Sequence, residues 1–373
     1  MSDIKKVMTI GGATQDIFIH YQHPEIMHLQ NATGKHAYLM LEEGRKIDVS
    51  ELEYHTGGGA TNAAVSFKRL GFDVTTFFKI GPDKAAEFIW SRMAQEDIDT
   101  RYIVHDTELQ TGTSFIIPSP SGDRVVLAYR GANAHLRLQE IPLEELTCCH
   151  QLYITSLTGN SSELLVPITT QAKKHGIQVA VNPGSSQLVM GNRALRDSLK
   201  NIDILILNST EASTFMRTLV HTIDRLKCFL YKEAPPQPEQ AKGPRLLQGP
   251  IMYKDVCFDV RDFFKEVLNL GPNIVVVTNG AEGVYVAAKD AIYFHPSLPL
   301  KAISTLGAGD AFGSCFVAGL LYGNSVPEAL VKGIINSTSV ISHFGAKTGL
   351  LSRKELDAEF AKVTTKNVQK FTF

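Results

Sequence analysis

Cysteines and long apolar runs are scarce in this sequence of 373 residues. The five cysteines are odd in number and lack the spacing of a metal site. This pattern argues against a disulfide framework and favours a reduced setting. No apolar run approaches the roughly 20 residues that cross a bilayer, and the N-terminus lacks the apolar core of a signal peptide. We therefore expect a cytoplasmic protein without a membrane segment.

A strong charge of either sign is also absent, because 37 basic and 38 acidic residues leave a formal net charge of −1. Such a protein has no general attraction for nucleic acids or anionic membranes, so neither is expected as a partner. The content of 44% hydrophobic and 20% charged residues is that of an ordinary globular protein. The chain is long enough for one large α/β domain or two smaller ones.

The most informative stretch is a run of small residues at 304–313, which precedes an apolar run of helical period at 312–321. A small-residue loop before a helix directs backbone N–H groups at one point, where the helix dipole also favours negative charge. Asp310 stands at the helix start, where it can take a proton from an attacking hydroxyl, so the stretch suits phosphoryl transfer. A plain glycine-rich turn with an aspartate cap fits the same residues equally well.

Polar residues also follow the first predicted strand, at 6–10, and precede the first predicted helix, at 63–70. Asp16 can accept hydrogen bonds from two hydroxyls of a sugar, although a solvent-facing loop aspartate is the simpler alternative. The glycines at 57–59 allow a ligand to approach the backbone, and Asn62 offers a donor and an acceptor to a polyol.

Two further polar groups follow later strands. Asn208 and Glu211 share one face of a helix that begins after the predicted strand at 202–207. A carboxylate there can orient a magnesium-bound water, or the pair can simply cap the helix, and both roles can hold together. The turn at 278–283 is a second place where the backbone can pass close to a nucleotide.

Strands and helices alternate from residue 151 onward, which predicts a mostly parallel sheet covered on both faces, with sites at the carboxyl ends of the strands. β-like segments at 291–294 and 298–303 lead into the small-residue run. Residues 222–262 break the rhythm, and their proline-rich centre predicts an exposed insertion. The single tryptophan, Trp90, is expected in the core.

Taken together, these motifs resemble the ribokinase family of carbohydrate kinases, also called PfkB, over nearly the whole chain. The resemblance rests on six motifs in order: Gly-Gly-Gly-Ala-Thr-Asn at 57–62, Ile-Gly-Pro-Asp at 80–83, Gly-Ala-Asn at 131–133, Asn-x-x-Glu at 208–211, Thr-x-Gly-x-x-Gly at 278–283 and Thr-Leu-Gly-Ala-Gly-Asp at 305–310. It implies one three-layer αβα ribokinase-like domain over 1–373, with a mostly parallel central sheet and a small β lid at about 17–56 and 108–130. The implied activity is ATP-dependent phosphorylation of a hydroxymethyl group of a sugar or nucleoside.

The same resemblance implies a role for individual residues. Asp310 resembles the general base, and the anion hole would be formed by Gly307, Ala308 and Gly309. The substrate ligands would be Asp16, Gly58, Gly59 and Asn62. The nucleotide would be held by Asn208, Glu211, Thr278, Gly280 and Gly283, with Asn336 near the adenine. ATP and Mg²⁺ are the implied cofactors, and Glu211 would hold Mg²⁺ through water.

The sequence departs from the family pattern in two places. Ser304 stands where many members have an aspartate that helps to hold potassium, which leaves activation by a monovalent cation doubtful. Residues 155–158 lack the glutamate of ribokinases proper, which weakens ribose as the substrate.

Three functions therefore remain open. The first is a sugar kinase. The second is a nucleoside kinase, with Phe18, Tyr21 and Phe115 as aromatic residues that could stack on a base, and the third is a catalytically silent sugar-binding protein. Because lid strands in this family often pair between subunits, the resemblance also leaves a homodimer open.

Overall fold

The computed structural model describes residues 4–21, 24–31, 34–119, 124–189, 191–231, 243–289, 291–363 and 365–373, with the side chains of 31 and 34–36 excepted. The centre of the proline-rich stretch, 232–242, lies outside the described residues. Among the helices of the described part, none combines the length and the apolar character needed to cross a bilayer.

A nine-stranded sheet in the described residues forms the middle layer of the molecule. Its parallel strands are β1 (Lys6–Ile10), β6 (Asp73–Phe77), β11 (Gln151–Ile154), β12 (Gln178–Val181), β13 (Ile204–Asn208) and β16 (Ile274–Thr278). Three antiparallel strands extend it: β17 (Val284–Ala288), β18 (Ala291–His295) and β19 (Gln369–Phe371). The order across the sheet is β19-β18-β17-β16-β13-β12-β11-β1-β6.

Helices cover both faces of this sheet. One face carries α3 (Leu165–Lys174), α4 (Ser185–Leu188), α5 (Ala194–Ser198), α6 (Ser209–Thr222) and α7 (Val260–Asn269). The other face carries α1 (Gly59–Arg69), α2 (Lys84–Gln95), α8 (Ala308–Leu321), α9 (Val326–Ile341) and α10 (Arg353–Val363).

The strands of the middle layer are apolar on both sides because each has a helix layer above and below it. The core between the sheet and α3–α7 is here called the first core, and the core on the other face is called the second. On β13, Leu205 and Leu207 pack into the first core, whereas Ile204 and Ile206 pack into the second. This alternation is the period-2 pattern of a strand, and it confirms the predicted three-layer α/β architecture.

A second, four-stranded sheet, here called the small sheet, comprises β2 (Thr14–Tyr21), β5 (Val49–Gly57), β9 (Gly112–Pro118) and β10 (Arg124–Tyr129), in the order β10-β9-β2-β5. Its strands β9 and β10 lie in the predicted lid segment at about 108–130 and pair antiparallel. Two-stranded pairs complete the set: β3 (Glu25–Asn31) with β4 (Gly34–Met40), β7 (Lys79–Ile80) with β8 (Val104–His105), and β14 (Ile251–Tyr253) with β15 (Val256–Phe258).

Three sequence expectations about the fold are wrong. Residues 298–303 form no strand, and the chain runs to α8 without regular structure there. Trp90 is 52% exposed, since it lies on the outer side of α2 while Ile89 and Met93 face the core. The described ends of the insertion at about 222–262 are not simply exposed, because Leu226, Leu247, Val256 and Phe258 pack into the first core.

Candidate active site

The predicted nucleotide residues lie side by side at the carboxyl edge of the middle layer. Asn208 ends β13 and pairs in register with Thr278, which ends β16. The turn that follows Thr278 has positive φ angles at Gly280 (55°) and Gly283 (132°). Because parallel strands present their carboxyl ends at one edge, these groups share a crevice.

The small-residue run starts α8, as predicted. Gly307 is the N-cap residue, and its φ of 78° is a left-handed conformation that favours glycine. A Cβ at this position would lie 2.5 Å from Cβ of Ala346, so the close approach also requires glycine. The N–H groups of the first turn have no acceptor within the helix. They form the positive end of the helix dipole, and Asp310 lies on this turn.

The predicted substrate glycines start α1 in the same way. Gly58 is the N-cap residue with a φ of 92°, and a Cβ there would lie 2.4 Å from the carbonyl oxygen of Gly12. The first turn of α1 carries Asn62, whose Nδ2 donates to Oδ2 of Asp310 at 2.7 Å. The structure therefore brings together the two helix N-termini that carry the motifs at 57–62 and 305–310.

The space beside the N-termini of α1 and α8 is here called the cleft. Asp16 lies on β2, on the side of the small sheet that faces the cleft. Oγ1 of Thr14 donates to its Oδ1 at 2.9 Å, and a Cβ on Gly57 would lie 1.9 Å from its Oδ2. Burial raises the pKa of Asp16, while hydrogen bonds from Thr14 and Ser114 and the charge of Lys347 act in the opposite direction. The sequence placed Asp16 in a loop after a strand, and the structure places it within the strand of a second sheet.

Asp310 is a partly buried carboxylate with a raised pKa. Burial raises its pKa above the ordinary value of 3.8, and the negative charge of Asp16 acts in the same direction. The hydrogen bond from Asn62 and the positive charge of Lys347 oppose this rise. A carboxylate with a raised pKa is a better proton acceptor near neutral pH than an exposed one.

Asn208 and Glu211 form the capping arrangement that the sequence allowed. Oδ1 of Asn208 accepts from the backbone N–H of Glu211 at 2.8 Å, and Oε2 of Glu211 accepts from the backbone N–H of Asn208 at 2.8 Å. Burial raises the pKa of Glu211, and the charge of Asp310 contributes to the rise. The backbone N–H of Asn208 is bound by Oε2 of Glu211.

A magnesium ion suits this position, although the described residues contain no group of three acidic, His or Cys side chains that could hold a metal alone. Mg²⁺ in kinase sites keeps several waters and is held by one or two carboxylates together with substrate phosphates. A single partly buried carboxylate, Glu211, at the edge where phosphates would lie fits that type of site.

Asn336, which the sequence predicts near the adenine, lies on α9 and is hydrogen-bonded within the protein. Its side chain is fully buried between α8, α9 and the following loop. Nδ2 donates to the carbonyl oxygen of Ala311 at 3.0 Å, and Oδ1 accepts from the backbone N–H of Leu351 at 3.0 Å. The amide is therefore used within the protein and has no surface to offer a nucleotide.

Lys347 is the site residue that the sequence did not indicate. It lies in the loop after α9 and is only 4% exposed. Its Nζ donates to Oδ1 of Asn62 at 2.6 Å and to the carbonyl oxygen of Thr56 at 2.7 Å. Lysine is almost always exposed, so a lysine after the Gly345-Ala346 pair carries no sequence signal of burial.

The small sheet contacts the loop that precedes α8. Arg124, the first residue of β10, donates through Nη1 to Oγ1 of Thr305, two residues before Gly307. The small sheet thus reaches from Asp16 on one side of the cleft to the small-residue run on the other.

Comparison with known proteins agrees with this geometry. A sequence profile of the pfkB family carbohydrate kinases matches residues 25–232 and 258–353. The ribokinase of Haemophilus influenzae is 29% identical over 304 residues, which cover 80% of this chain and 85% of that protein. The deoxyribokinase of Salmonella typhi is 23% identical and covers 85% of this chain and 92% of that protein.

Two solved structures share the fold. The ribokinase of Arabidopsis thaliana, complexed with ribose and ATP, superposes with a TM-score of 0.72 at 17% identity, over 97% of this chain and 100% of that one. A nucleoside kinase of Burkholderia thailandensis, in complex with inosine, superposes with a TM-score of 0.70 at 16% identity, over 97% and 99% of the two chains.

The fold and the matched motifs define an ATP-dependent kinase that transfers a phosphoryl group to an alcohol. More particularly, the chain belongs to the pfkB family of carbohydrate kinases.

Proposed function

We propose that the protein phosphorylates a hydroxymethyl group of a small neutral sugar, with Asp310 as the general base. The observation that carries this proposal is the hydrogen bond of 2.7 Å between Nδ2 of Asn62 and Oδ2 of Asp310. It joins a side chain suited to sugar hydroxyls to a carboxylate at the tip of a helix. A hydroxyl bound by the first would lie within reach of the second.

In the proposed mechanism, Asp16 and Asn62 hold sugar hydroxyls and thereby orient the reactive one toward Asp310. The carboxylate of Asp310 accepts the proton of the sugar hydroxyl as the hydroxyl oxygen attacks the phosphoryl group that is to be transferred. The N–H groups of Gly307, Ala308 and Gly309 stabilise the negative charge that develops on the transferred group. The small sheet, through Arg124, covers the cleft and excludes water, which would limit hydrolysis without sugar.

ATP would supply the transferable phosphoryl group, and Mg²⁺ would neutralise charge on its phosphates. The residues that would hold the nucleotide are the turn after Thr278 and the N-terminus of α6 at Asn208. Glu211 would orient a water of the magnesium ion. Because Asn336 is buried, we do not assign it to the nucleotide.

The charges of the cleft favour a neutral sugar over a sugar acid. Asp16 is a buried carboxylate, Asp310 is a partly buried one, and Lys347 is a buried cation whose charge acts on both. A carboxylate on the substrate would add a further negative charge to this group at a cost in free energy.

A nucleoside substrate is the second candidate, because the chain shares its fold with a nucleoside kinase. Of the aromatic residues proposed to stack on a base, Phe18 is 1% exposed and packs edge-on against His55 and Phe344. Phe115 is 39% exposed, but it lies on the opposite side of the small sheet from Asp16, since neighbouring residues of a strand point to opposite faces. This arrangement favours the sugar.

The deciding experiment measures ADP release with a panel of pentoses, hexoses, sugar acids and nucleosides, with and without potassium. We expect turnover with one or more neutral sugars, and little or none with sugar acids. A clear preference for a nucleoside would replace the sugar with the second candidate. Binding of a sugar without ATP turnover would identify a silent sugar-binding protein.

We extend the proposal to a homodimer formed through the small sheet. A row of apolar side chains crosses its four strands on the side opposite Asp16: Tyr54, Ile17, Phe115 and Leu127. Tyr54 is 53% exposed and Leu127 is 55% exposed. An apolar row of this kind is typical of a surface that binds a second copy. Light scattering of the wild type and of Leu127→Asp tests the proposed dimer. A wild-type protein with the mass of a monomer would contradict it.

A further inference from the structure

The side chain of Lys347 contacts the side chain of Asn62. Lysine has only donors, so the atom of Asn62 that it contacts at 2.6 Å must be the amide oxygen. The ionised carboxylate of Asp310 has only acceptors, so it must face the amide NH₂ group. The two contacts together allow one orientation of the amide of Asn62 and exclude the flipped one.

Several contacts hold Lys347 in this place. Its Nζ also donates to the carbonyl oxygen of Thr56 at 2.7 Å, at the end of β5. Its own carbonyl oxygen accepts from Nη1 of Arg69 at 3.1 Å. Arg69 is held in turn by the carboxylate of Glu96, with Nη2 to Oε1 at 2.6 Å. The lysine is therefore built into the structure and is not a surface side chain folded inward.

From these contacts, and on the basis of the function proposed above, we propose that Lys347 is a positioning residue for the phosphoryl transfer. It orients the amide of Asn62 toward Asp310 and supplies the positive charge that keeps Asp310 ionised. The substrate would then meet an amide that presents its NH₂ group and a base that is ready to accept a proton.

The charged groups around Lys347 support this role. Asp16 from β2 and Asp310 from α8 are the negative neighbours that favour its charged form, with Glu96 of α2 in a smaller part. Burial and the positive charge of Arg92 oppose it, and the pKa of Lys347 falls to about 7. His55 of β5 faces Asp16 on the same side. At pH values below 7 the lysine carries its positive charge.

The test is an NMR titration of unliganded protein labelled with ¹³C at the aspartate carboxyls, in which Asp310→Asn identifies the signal of Asp310. Removal of a buried positive neighbour raises a carboxyl pKa by about one pH unit or more. We therefore expect the midpoint of Asp310 to rise by that amount in Lys347→Met and in Lys347→Gln. Lys332→Met is the matched control, since Lys332 pairs with Asp357 on the far side of α9, and it should leave the midpoint unchanged.

An unchanged midpoint in both Lys347 variants would overturn the proposal. If Lys347→Met fails to fold, Lys347→Gln alone decides, because it keeps a polar side chain of similar length. The titration needs no substrate, so it gives its answer even if no sugar of the panel is phosphorylated. A failure of the proposed function can therefore be distinguished from a failure of the proposal for Lys347.

Kinetics give a second readout once a substrate is known. The acid limb of kcat/KM should move upward with the Asp310 midpoint, and a limb that lies one pH unit higher means an about tenfold loss of kcat/KM at low pH. If Lys347 acts through Asn62, the Lys347→Met and Asn62→Ala losses should not multiply in the double variant. Losses that multiply fully would show that Lys347 acts independently of Asn62.

Discussion

Nδ2 of Asn62 lies 2.7 Å from Oδ2 of Asp310, although 248 positions separate the two residues in the chain. The contact joins the N-termini of α1 and α8, which pack side by side against the middle layer. The proposed substrate ligand and the proposed proton acceptor therefore lie side by side, and the first two predictions concern that acceptor.

Asp310→Asn should lower kcat by about 10² or more, because the amide cannot accept a proton from the attacking hydroxyl. Sugar binding should remain nearly normal, since the substitution keeps the shape of the side chain. Steady-state kinetics and calorimetric titration of the sugar check both parts. Asp224→Asn is a matched control, because the side chain of Asp224 is 93% exposed. Unchanged turnover in Asp310→Asn would remove the residue from its proposed role.

The pH dependence of kcat/KM should show an acid limb well above the ordinary aspartate value of 3.8, because burial raises the pKa of Asp310. The base must be deprotonated to act, so activity is present above the raised pKa and is lost as the pH falls through it. Rate profiles across the acid range, with circular dichroism to confirm folding at each pH, measure the limb. A limb at or below 3.8 would contradict the assignment.

Glu211→Gln should raise the Mg²⁺ concentration needed for half-maximal activity by about tenfold, since an outer-sphere carboxylate is lost. Glutamine still accepts a hydrogen bond from the backbone N–H of Asn208, so the free energy of unfolding should change little. Glu328→Gln is the matched control, because Glu328 closes the same capping box at the start of α9, away from the cleft. An equal effect on Mg²⁺ dependence in both variants would argue against a magnesium role.

Gly307→Ala should destabilise the protein more than Gly323→Ala. Both glycines have positive φ angles, 78° and 82°, so each alanine costs about 1 kcal/mol in backbone strain. Only the Cβ at position 307 meets another group, Cβ of Ala346 at 2.5 Å, while the one at position 323 meets nothing within 4 Å. Overpacking should add about 1–3 kcal/mol at position 307. Urea unfolding compares the two, and equal losses would show that the loop yields to the added methyl group.

The sequence by itself determined the architecture and the backbone geometry at the starts of α1 and α8. Apolar strands alternating with amphipathic helices lead to a parallel sheet covered on both faces, as in β13 with its two leucines and two isoleucines on opposite sides. The glycines before α1 and α8 mark positions where only glycine tolerates the backbone angle and the close approach. These signals are local, because a few adjacent residues are enough to specify a strand, a helix start or a tight turn.

Only the tertiary structure decided which polar groups meet. It buried Asn336 between two helices, and it placed Lys347 against Asn62 from 285 positions away. Nothing in the neighbouring residues indicates these contacts, because a hydrogen bond between distant segments depends on how whole helices and sheets pack. The burial that raises the pKa of Asp310 and lowers that of Lys347 arises from the same packing.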